Sequence, residues 1–432
     1  MHWLEVTTPI EFKSGGRRLE TGVPYAMDDG AAASMLGSGA MVNTPDGRRA
    51  LGMVVRLHHA PALSSPPLCP SRSQLPASSF SPKVLVHRSG GIGDLLLMTP
   101  ALRAYKRRFP KARIFVCTTP KMRPVLEGNP DVKGFVEWPP KESEVYEHDT
   151  WCFYENIIEN NPLAQDVHAV DLYAMKLLGD TRIEDWTPVL NLTESEKSEA
   201  DEFIKKIGKS GNREIGASES SKSEIGNQQS EIPRVGIQVK ASSPVRTWPM
   251  GPMSDLIQML LDHAQVFLFG APGEVDYMGD HPHLVNVSAM NLSFRQSCAV
   301  LAGCDALVAP DSALLHAAAA LKVPTVALFG PFPSKLRLTS KCQQAIEGGG
   351  LCAPCFHHSR GDEIFPGGHP CAREKRCHVL GGISPARVFA EVMKLVGTRQ
   401  RESVSDPPCD FAALREISPN LLTAPCLPLT VP

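Results

Sequence analysis

The chain has 432 residues, enough for two domains with cores of their own and material to spare at both ends. Hydrophobic residues make up 42% and charged residues 21%, the ordinary balance of a globular protein, and a formal net charge of −2 gives no electrostatic reason to expect nucleic acid as a partner. No run of eighteen or more apolar residues occurs, so no segment is expected to span a bilayer. The start, Met1-His2-Trp3-Leu4-Glu5-Val6, has neither a basic leader nor an apolar h-region, which argues against secretion. The expected location is the cytoplasm, with the periphery of the inner membrane left open.

In chain order, residues 1–59 read as a small N-terminal module to which the sequence assigns no task. Residues 60–82 are dense in Pro and Ser and read as a linker without a core. In the next block, Lys83-Val84-Leu85-Val86-His87 reads as a short apolar strand. A Gly-rich turn follows, then a helical run from about Asp94 to Phe109 and a second strand at 113–117. Residues 83–208 are expected to form the first domain. Residues 209–231, rich in Ser, Glu, Gly, Asn and Gln, read as a linker. Residues 232–398 form the second domain, with strands at 235–239, 265–269, 305–309 and 325–329 separated by helical patterns at 254–263, 293–303 and 312–321. The Pro-containing stretch 399–432 reads as a loosely held tail. Short, nearly all-apolar strands alternating with helices predict an α/β fold, with parallel sheets covered on both faces. Two such units joined by a polar linker describe a pair of Rossmann-like domains facing a cleft, with ligands beyond the carboxyl ends of the strands.

The strand-to-helix turns carry the candidate chemistry. Gly90, Gly91 and Gly93 allow close backbone approach to a ligand, and Asp94 stands at the helix start, where it reads equally as a helix N-cap. This is not the dinucleotide fingerprint, because the third glycine at the required offset is missing. After strand 235–239, Lys240, Ser242 and Arg246 offer cations and a hydroxyl suited to a diphosphate; the alternative is a solvated loop whose Trp248 packs at the domain edge. Glu274 follows the next strand, as a carboxylate for ribose hydroxyls or as the acidic start of a surface helix. Asp311 and Ser312 are expected to cap the helix that begins at Ala313, whose free N–H groups form an anion site. His316 lies one turn further in and reads equally as a packing residue or a ligand contact.

Four of the twelve cysteines fall close together, Cys352, Cys355, Cys371 and Cys377. Their pattern is C-x₂-C, fifteen residues, then C-x₅-C. In a cytosolic protein that clustering speaks for one tetrahedral metal ion, with His357, His358, His369 and His378 as substitute ligands. Free or partly disulfide-bonded thiols on a loop are the alternative.

These turns together resemble the heptosyltransferase family (glycosyltransferase family 9), over about residues 83–397. The resemblance is carried by Val84 through Asp94 and on to Leu102, by Arg246-Thr247-Trp248-Pro249, by Asp311 to Leu321, and by Pro324 to Pro331. It implies a GT-B architecture and an inverting transfer without a catalytic metal, from a nucleotide-diphosphate sugar such as ADP-heptose to a hydroxyl of a glycan, lipopolysaccharide core or protein. It makes Asp94 the catalytic carboxylate, whose pKa must rise if it is to act as a general base. Arg246 takes the place of the family's usual Lys at the donor phosphates. Asp311-Ser312-Ala313 takes the place of a phosphate turn that carries Gly where this chain has Ala313, giving up backbone freedom. His316 and Glu274 fall on the family's helix His and ribose ligand. The Cys cluster, by the same likeness, would hold a structural zinc or iron ion. Two rival readings are a nucleotide-sugar hydrolase or epimerase, and a catalytically silent binding or assembly protein.

Overall fold

The computed structural model describes residues 81–155, 157–158, 161–179, 183–211, 232–275, 281–356, 371 and 376–402, and the backbone of five strands between residues 2 and 59. Most of both expected linkers, residues 60–80 and 212–231, lies outside the described residues, as do the tail beyond 402 and His357, His358 and His369. Near the N-terminus β1 (His2–Val6) pairs antiparallel with β2 (Pro24–Met27) and with β5 (Val55–His59), while β3 (Met41–Thr44) and β4 (Gly47–Ala50) form a separate hairpin.

Continuous apolar runs drive the two main sheets. Val84, Leu85 and Val86 of β6 (Lys83–His87) are fully buried, which a strand achieves only when helices cover both faces. β6 pairs in parallel with β7 (Arg113–Thr118) and β9 (Thr150–Phe153), and β7 pairs with β8 (Val132–Glu137), giving the order β8-β7-β6-β9. The covering helices include α1 (Ile92–Arg108), with the short α2 (Glu142–Tyr146) and then α3 (Ala169–Leu178) following in the chain. α4 (Glu194–Gly211) leads out of this unit and runs three residues into the stretch expected to be a linker, 209–231.

The second sheet is also all parallel. It contains β10 (Arg234–Gln238), β11 (Gln265–Phe269), β12 (Leu284–Asn286), β13 (Ala306–Pro310), β14 (Thr325–Phe329) and β15 (Gln343–Glu347), in the order β12-β11-β10-β13-β14-β15. Its helices are α5 (Met250–Leu261), α6 (Phe294–Ala302), α7 (Ala313–Leu321), α8 (His378–Gly381) and α9 (Pro385–Glu402). α9 continues to Glu402, into the stretch expected to be a loose tail at 399–432. Trp248 is buried in the core of this unit beside Leu256 and Val266, not packed at the domain edge.

Each sheet reverses its winding once, between β6 and β9 in the first and between β10 and β13 in the second. At such a reversal the loops from adjacent strand ends part, leaving a crevice at the carboxyl edge. α1 packs on α7 and α4 on α6, and one hydrophobic core runs from Val84 and Leu95 through to Leu307 and Leu315. The two crevices therefore open into the same space. This is the α/β arrangement of two Rossmann-like units about a cleft, the GT-B architecture.

Arg295 of α6 binds the units to each other. Its guanidinium donates to the Glu196 carboxylate through Nε at 2.5 Å and Nη2 at 2.8 Å, to the carbonyls of Pro124 (3.0 Å) and Glu127 (3.2 Å), and to that of Asn191 (2.6 Å). These bonds hold the carboxyl of Glu196 down at about 2. His168 of the first unit donates from Nε2 to the Leu338 carbonyl of the second at 2.9 Å, while its Nδ1 accepts the Val170 N–H at the start of α3. The ring stacks on Trp186 at 3.8 Å, and burial lowers its pKa to about 3, so it is the neutral imidazole that bridges the units.

Candidate active site

A cavity of about 960 Å³ lies between the units and is lined from both. From the first come Arg88, the Gly90–Asp94 turn, Lys121 and Glu155; from the second come Gln238, Lys240, Ser242, Arg246, Glu274, Asp311, Ser312, Ala313, His316 and Arg337. The candidate ligand-binding residues of the sequence-derived turns, Trp248 apart, thus border one space.

In the first unit, α1 starts at Gly91, which takes φ 81° as the N-cap residue and gives the helix no side-chain cap. Asp94 is the third helical residue, so it is not the N-cap; its carboxylate serves elsewhere. A Cβ on Gly91 would lie 2.2 Å from Asp94 Oδ2, so the glycine is required for that carboxylate's position as much as for the turn. Arg88, only 2% exposed, meets Asp94 Oδ2 at 2.7 Å through Nη2. Its Nε donates to the Gly90 carbonyl (2.8 Å) and its Nη1 to the Tyr154 carbonyl (3.0 Å). Tyr154 Oη donates to the Tyr173 carbonyl (2.8 Å), and Tyr173 Oη donates to Asp94 Oδ1 (3.0 Å). The contacts close into a ring through Arg88, Tyr154, Tyr173 and Asp94, and both oxygens of Asp94 are held in it.

The Asp94 side chain keeps 20% of its surface open to the cleft. Burial works to raise its pKa, but Arg88, the Tyr173 hydroxyl and the charges of Arg246 and Arg337 outweigh it and hold the carboxyl below its ordinary value. The rise that a general base would call for is therefore not what this environment produces. Asp94 is a fixed anion.

In the second unit, Ser312 stands at the N-cap of α7, yet its side chain does not cap; Oγ donates instead to Gln238 Oε1. The first N–H groups of α7 thus face the cleft without a side-chain acceptor from the N-cap. Ala313 opens the helix in ordinary helical geometry, with no positive φ, so alanine costs nothing there. Arg246 donates to Ser242 Oγ (2.7 Å) and to the Asp311 carbonyl (3.2 Å), and its Nη1 lies 3.6 Å from Asp311 Oδ2. Arg337 Nε approaches the same oxygen at 3.7 Å, and His316 Nε2 approaches Oδ1 at 3.7 Å. Burial pushes the Asp311 carboxyl up, but the His316, Arg246 and Arg337 contacts hold it well below the carboxylate range.

Gly93 lets α1 approach α7 closely: a Cβ there would meet His316 Cδ2 at 3.1 Å. Lys240 and Ser242 are exposed on the cleft rim. Glu274 accepts the Ala271 N–H at 2.7 Å inside a turn, and the described residues up to 275 start no helix there.

Two of the cysteines stand beside the turn that follows β14: the Cys355 N–H donates to the Pro331 carbonyl at 3.0 Å, and a Cβ on Gly330 would lie 3.1 Å from Cys377 Sγ. Burial, and the thiols of Cys371 and Cys355, push the Cys377 thiol up, while the Leu380 N–H donating to its Sγ at 3.4 Å works the other way. Cys352 is exposed. Among the described residues no group of three or more His, Cys, Asp or Glu side chains is gathered so as to hold a metal ion.

Arg88, Tyr173, Gln238 and Arg337 join the site beyond the residues expected from sequence. Tyr173 is 79 positions from Asp94, and nothing local marks it. Arg337 follows the Phe329-Gly330-Pro331 turn at the same strand edge, and a search of that turn for cations would have found it.

The fold and the cleft define a GT-B type α/β protein. A family model, Glycosyltransferase family 9 (heptosyltransferase), matches residues 168–363, just under half of the chain. The chain is 29% identical over 200 residues to lipopolysaccharide heptosyltransferase 2 of Escherichia coli K12, an alignment that takes in 42% of this chain and 53% of that one. It thus spans about half the length of this curated relative. The solved structure of the E. coli ADP-heptose LPS heptosyltransferase II superposes with a TM-score of 0.53 at 20% identity, covering 74% of this chain and 99% of that one. The dodecameric iron-containing heptosyltransferase TibC, in complex with ADP-D-beta-D-heptose, superposes with a TM-score of 0.51 at 12% identity, covering 92% and 91%. The likeness to the heptosyltransferase family read from the turns is thereby found again over the matched segment. Asp94 lies outside the matched segment; Arg246, Glu274, Asp311, His316 and Arg337 lie inside it.

Proposed function

We propose that the protein is an inverting glycosyltransferase that moves a sugar, heptose first among the candidates, from an ADP-sugar to a hydroxyl of a glycan, lipopolysaccharide core or protein. The observation that carries this reading is the opposition, across one cavity, of a fixed carboxylate on the first unit and a cationic, helix-ended anion site on the second. The first unit, 83–208, would hold the acceptor and the second, 232–398, the donor. Arg246, Lys240, Ser242 and the α7 N–H groups at Ser312 and Ala313 would take the diphosphate, with Glu274 on the ribose. Asp311 and His316 orient that cluster.

The acceptor oxygen would attack the anomeric carbon from the side of Asp94 as the bond from that carbon to the phosphate oxygen breaks. The proton passes from the acceptor to Asp94, and the leaving diphosphate gains one negative charge. A carboxylate of low pKa is a poor base towards a resting alcohol. It becomes an adequate one late in the step, when the half-transferred hydroxyl is strongly acidic. Until then its charge lies close to the positive charge that grows on the sugar ring. Closure of the cleft about the donor would keep water from competing with the acceptor.

The experiment is a donor screen by calorimetry, ADP-heptose first, followed by a transfer assay. Binding of ADP-sugars with turnover only when an acceptor is added supports transfer. Donor turnover without acceptor would instead indicate a hydrolase or epimerase.

We also propose that Cys352, Cys355, Cys371 and Cys377 hold a structural zinc or iron ion. What supports it is the C-x₂-C spacing of the first pair and the placing of Cys355 and Cys377 beside one turn, where the Cys355 N–H donates to the Pro331 carbonyl at 3.0 Å and a Cβ on Gly330 would lie 3.1 Å from Cys377 Sγ. The ion would fix the loop behind the donor site and take no part in transfer. Metal analysis of untagged protein should find about one equivalent, with ferric-thiolate colour separating iron from zinc. Less than about a tenth of an equivalent in folded protein would remove the proposal.

A further inference from the structure

We propose that Arg337 is a catalytic residue of the donor half, a second guanidinium that meets the diphosphate beside Arg246; this rests on the nucleotide-sugar reading above. Arg337 follows the turn Ser334–Leu336 beyond β14, and its backbone N–H is tied to the Ser334 carbonyl at 2.9 Å. Its side chain is 4% exposed and lies with the guanidinium carbon 4.8 Å from the centre of the Phe332 ring, which fixes its plane. The residue lines the same cavity as Asp94 and Arg246. The protein contact it makes with a charge, Nε to Asp311 Oδ2 at 3.7 Å, is longer than a hydrogen bond. Nη1 is buried and has no hydrogen-bond partner among the described residues, as is also true of Arg246 Nε and His316 Nδ1.

A buried guanidinium N–H with no acceptor is costly, and natural sites keep one where a ligand supplies the acceptor. The local charge points to the kind of ligand. Two guanidinium groups share one carboxylate, Asp311, which leaves a surplus positive charge at the open end of α7. Across the cleft Arg88 and Asp94 cancel each other. A diphosphate ester, with about two negative charges that become about three when the sugar leaves, matches this surplus and increases it in the transition state. Arg337 would therefore count for more in turnover than in ground-state donor binding.

The test compares wild-type, Arg337→Met and Arg337→Lys by titration with ADP, adenosine and inorganic pyrophosphate, with thermal melts to establish folding. Arg337→Met should weaken ADP and pyrophosphate about 10–100-fold and leave adenosine within about twofold. Arg337→Lys, which keeps the charge and loses the fork, should fall between; it carries the same comparison if the Met variant does not fold. A residue that only packs the loop would shift ADP and adenosine alike. Equal shifts, or none, in a folded variant would overturn the proposal. If wild-type protein binds pyrophosphate but no adenine ligand, the ADP-sugar reading fails, while Arg337 stands or falls on whether its loss abolishes pyrophosphate binding.

Discussion

Asp94 is held at both oxygens, by Arg88 and by Tyr173, and each contact stabilises the anion relative to the acid. Tyr173→Phe removes one of them. The carboxyl pKa should then rise, because burial, which acts upward, is left with one opponent fewer. The sign follows directly: a depressed carboxyl keeps its charge to lower pH than free Asp, and weakening the depression moves the acid limb of kcat upward. A kcat–pH profile for Tyr173→Phe should show that limb displaced upward relative to wild-type. An unmoved limb would mean that the ring does not tune the acting group. On the opposite wall, Arg246→Ala should weaken ADP binding by about 1.5–3 kcal/mol, the usual worth of a charge-assisted hydrogen bond. Unchanged affinity in calorimetry would reduce that loop to scaffolding.

The elements that sequence made visible are those with a continuous buried apolar stretch. β6, β10, β11, β13 and β14 carry continuous apolar runs, and each begins within a residue of its expected position. β8, β12 and β15 were not legible: Val132–Glu137 is half-exposed throughout, Leu284–Asn286 has three residues, and Gln343–Glu347 is polar at an edge. The turns after the buried strands were legible because glycines, cations and acids stand directly after an apolar run. The partners of those turns, Tyr173 and Arg337, come from elements distant in sequence, where only tertiary packing selects them. The same packing buries two histidines without charge. His87 lies between Trp138 (3.8 Å) and Phe153 (4.4 Å), and burial, then the Arg88 charge, lowers its pKa well below the usual 6.5. His168 is lowered to about 3. Unfolded, both take up a proton below about 6.5; folded, neither does until much lower pH. Stability is therefore full above about pH 6.5 and falls with acidification, by about 2–4 kcal/mol between pH 6.5 and 5 if both groups act independently. Urea unfolding across that range should show the loss, and His168→Gln should flatten part of it. A wild-type stability independent of pH there would contradict the buried neutral imidazoles.

At the scale of the molecule, two sheets of like winding put their reversals on one cleft, and the division of labour follows from which loops each reversal opens. β6 and β9 deliver Arg88 and Glu155, with Asp94 next to them; β10 and β13 deliver Lys240, Arg246, Asp311 and Ser312. Outside the site, Arg295 and His168 tie the two units together by hydrogen bonds, beside the packing of α1 on α7. Among the described residues no helix is long and apolar enough to cross a membrane. The central claim is that the first unit's carboxylate performs the transfer while the second unit binds the nucleotide. Asp94→Asn keeps the shape of the side chain and removes its charge, so it separates the two functions in one variant. Transfer and ADP-sugar affinity should be measured together on that protein. Turnover should fall by about 10²–10⁴-fold while affinity stays within a few fold. Near-full turnover in Asp94→Asn would contradict it.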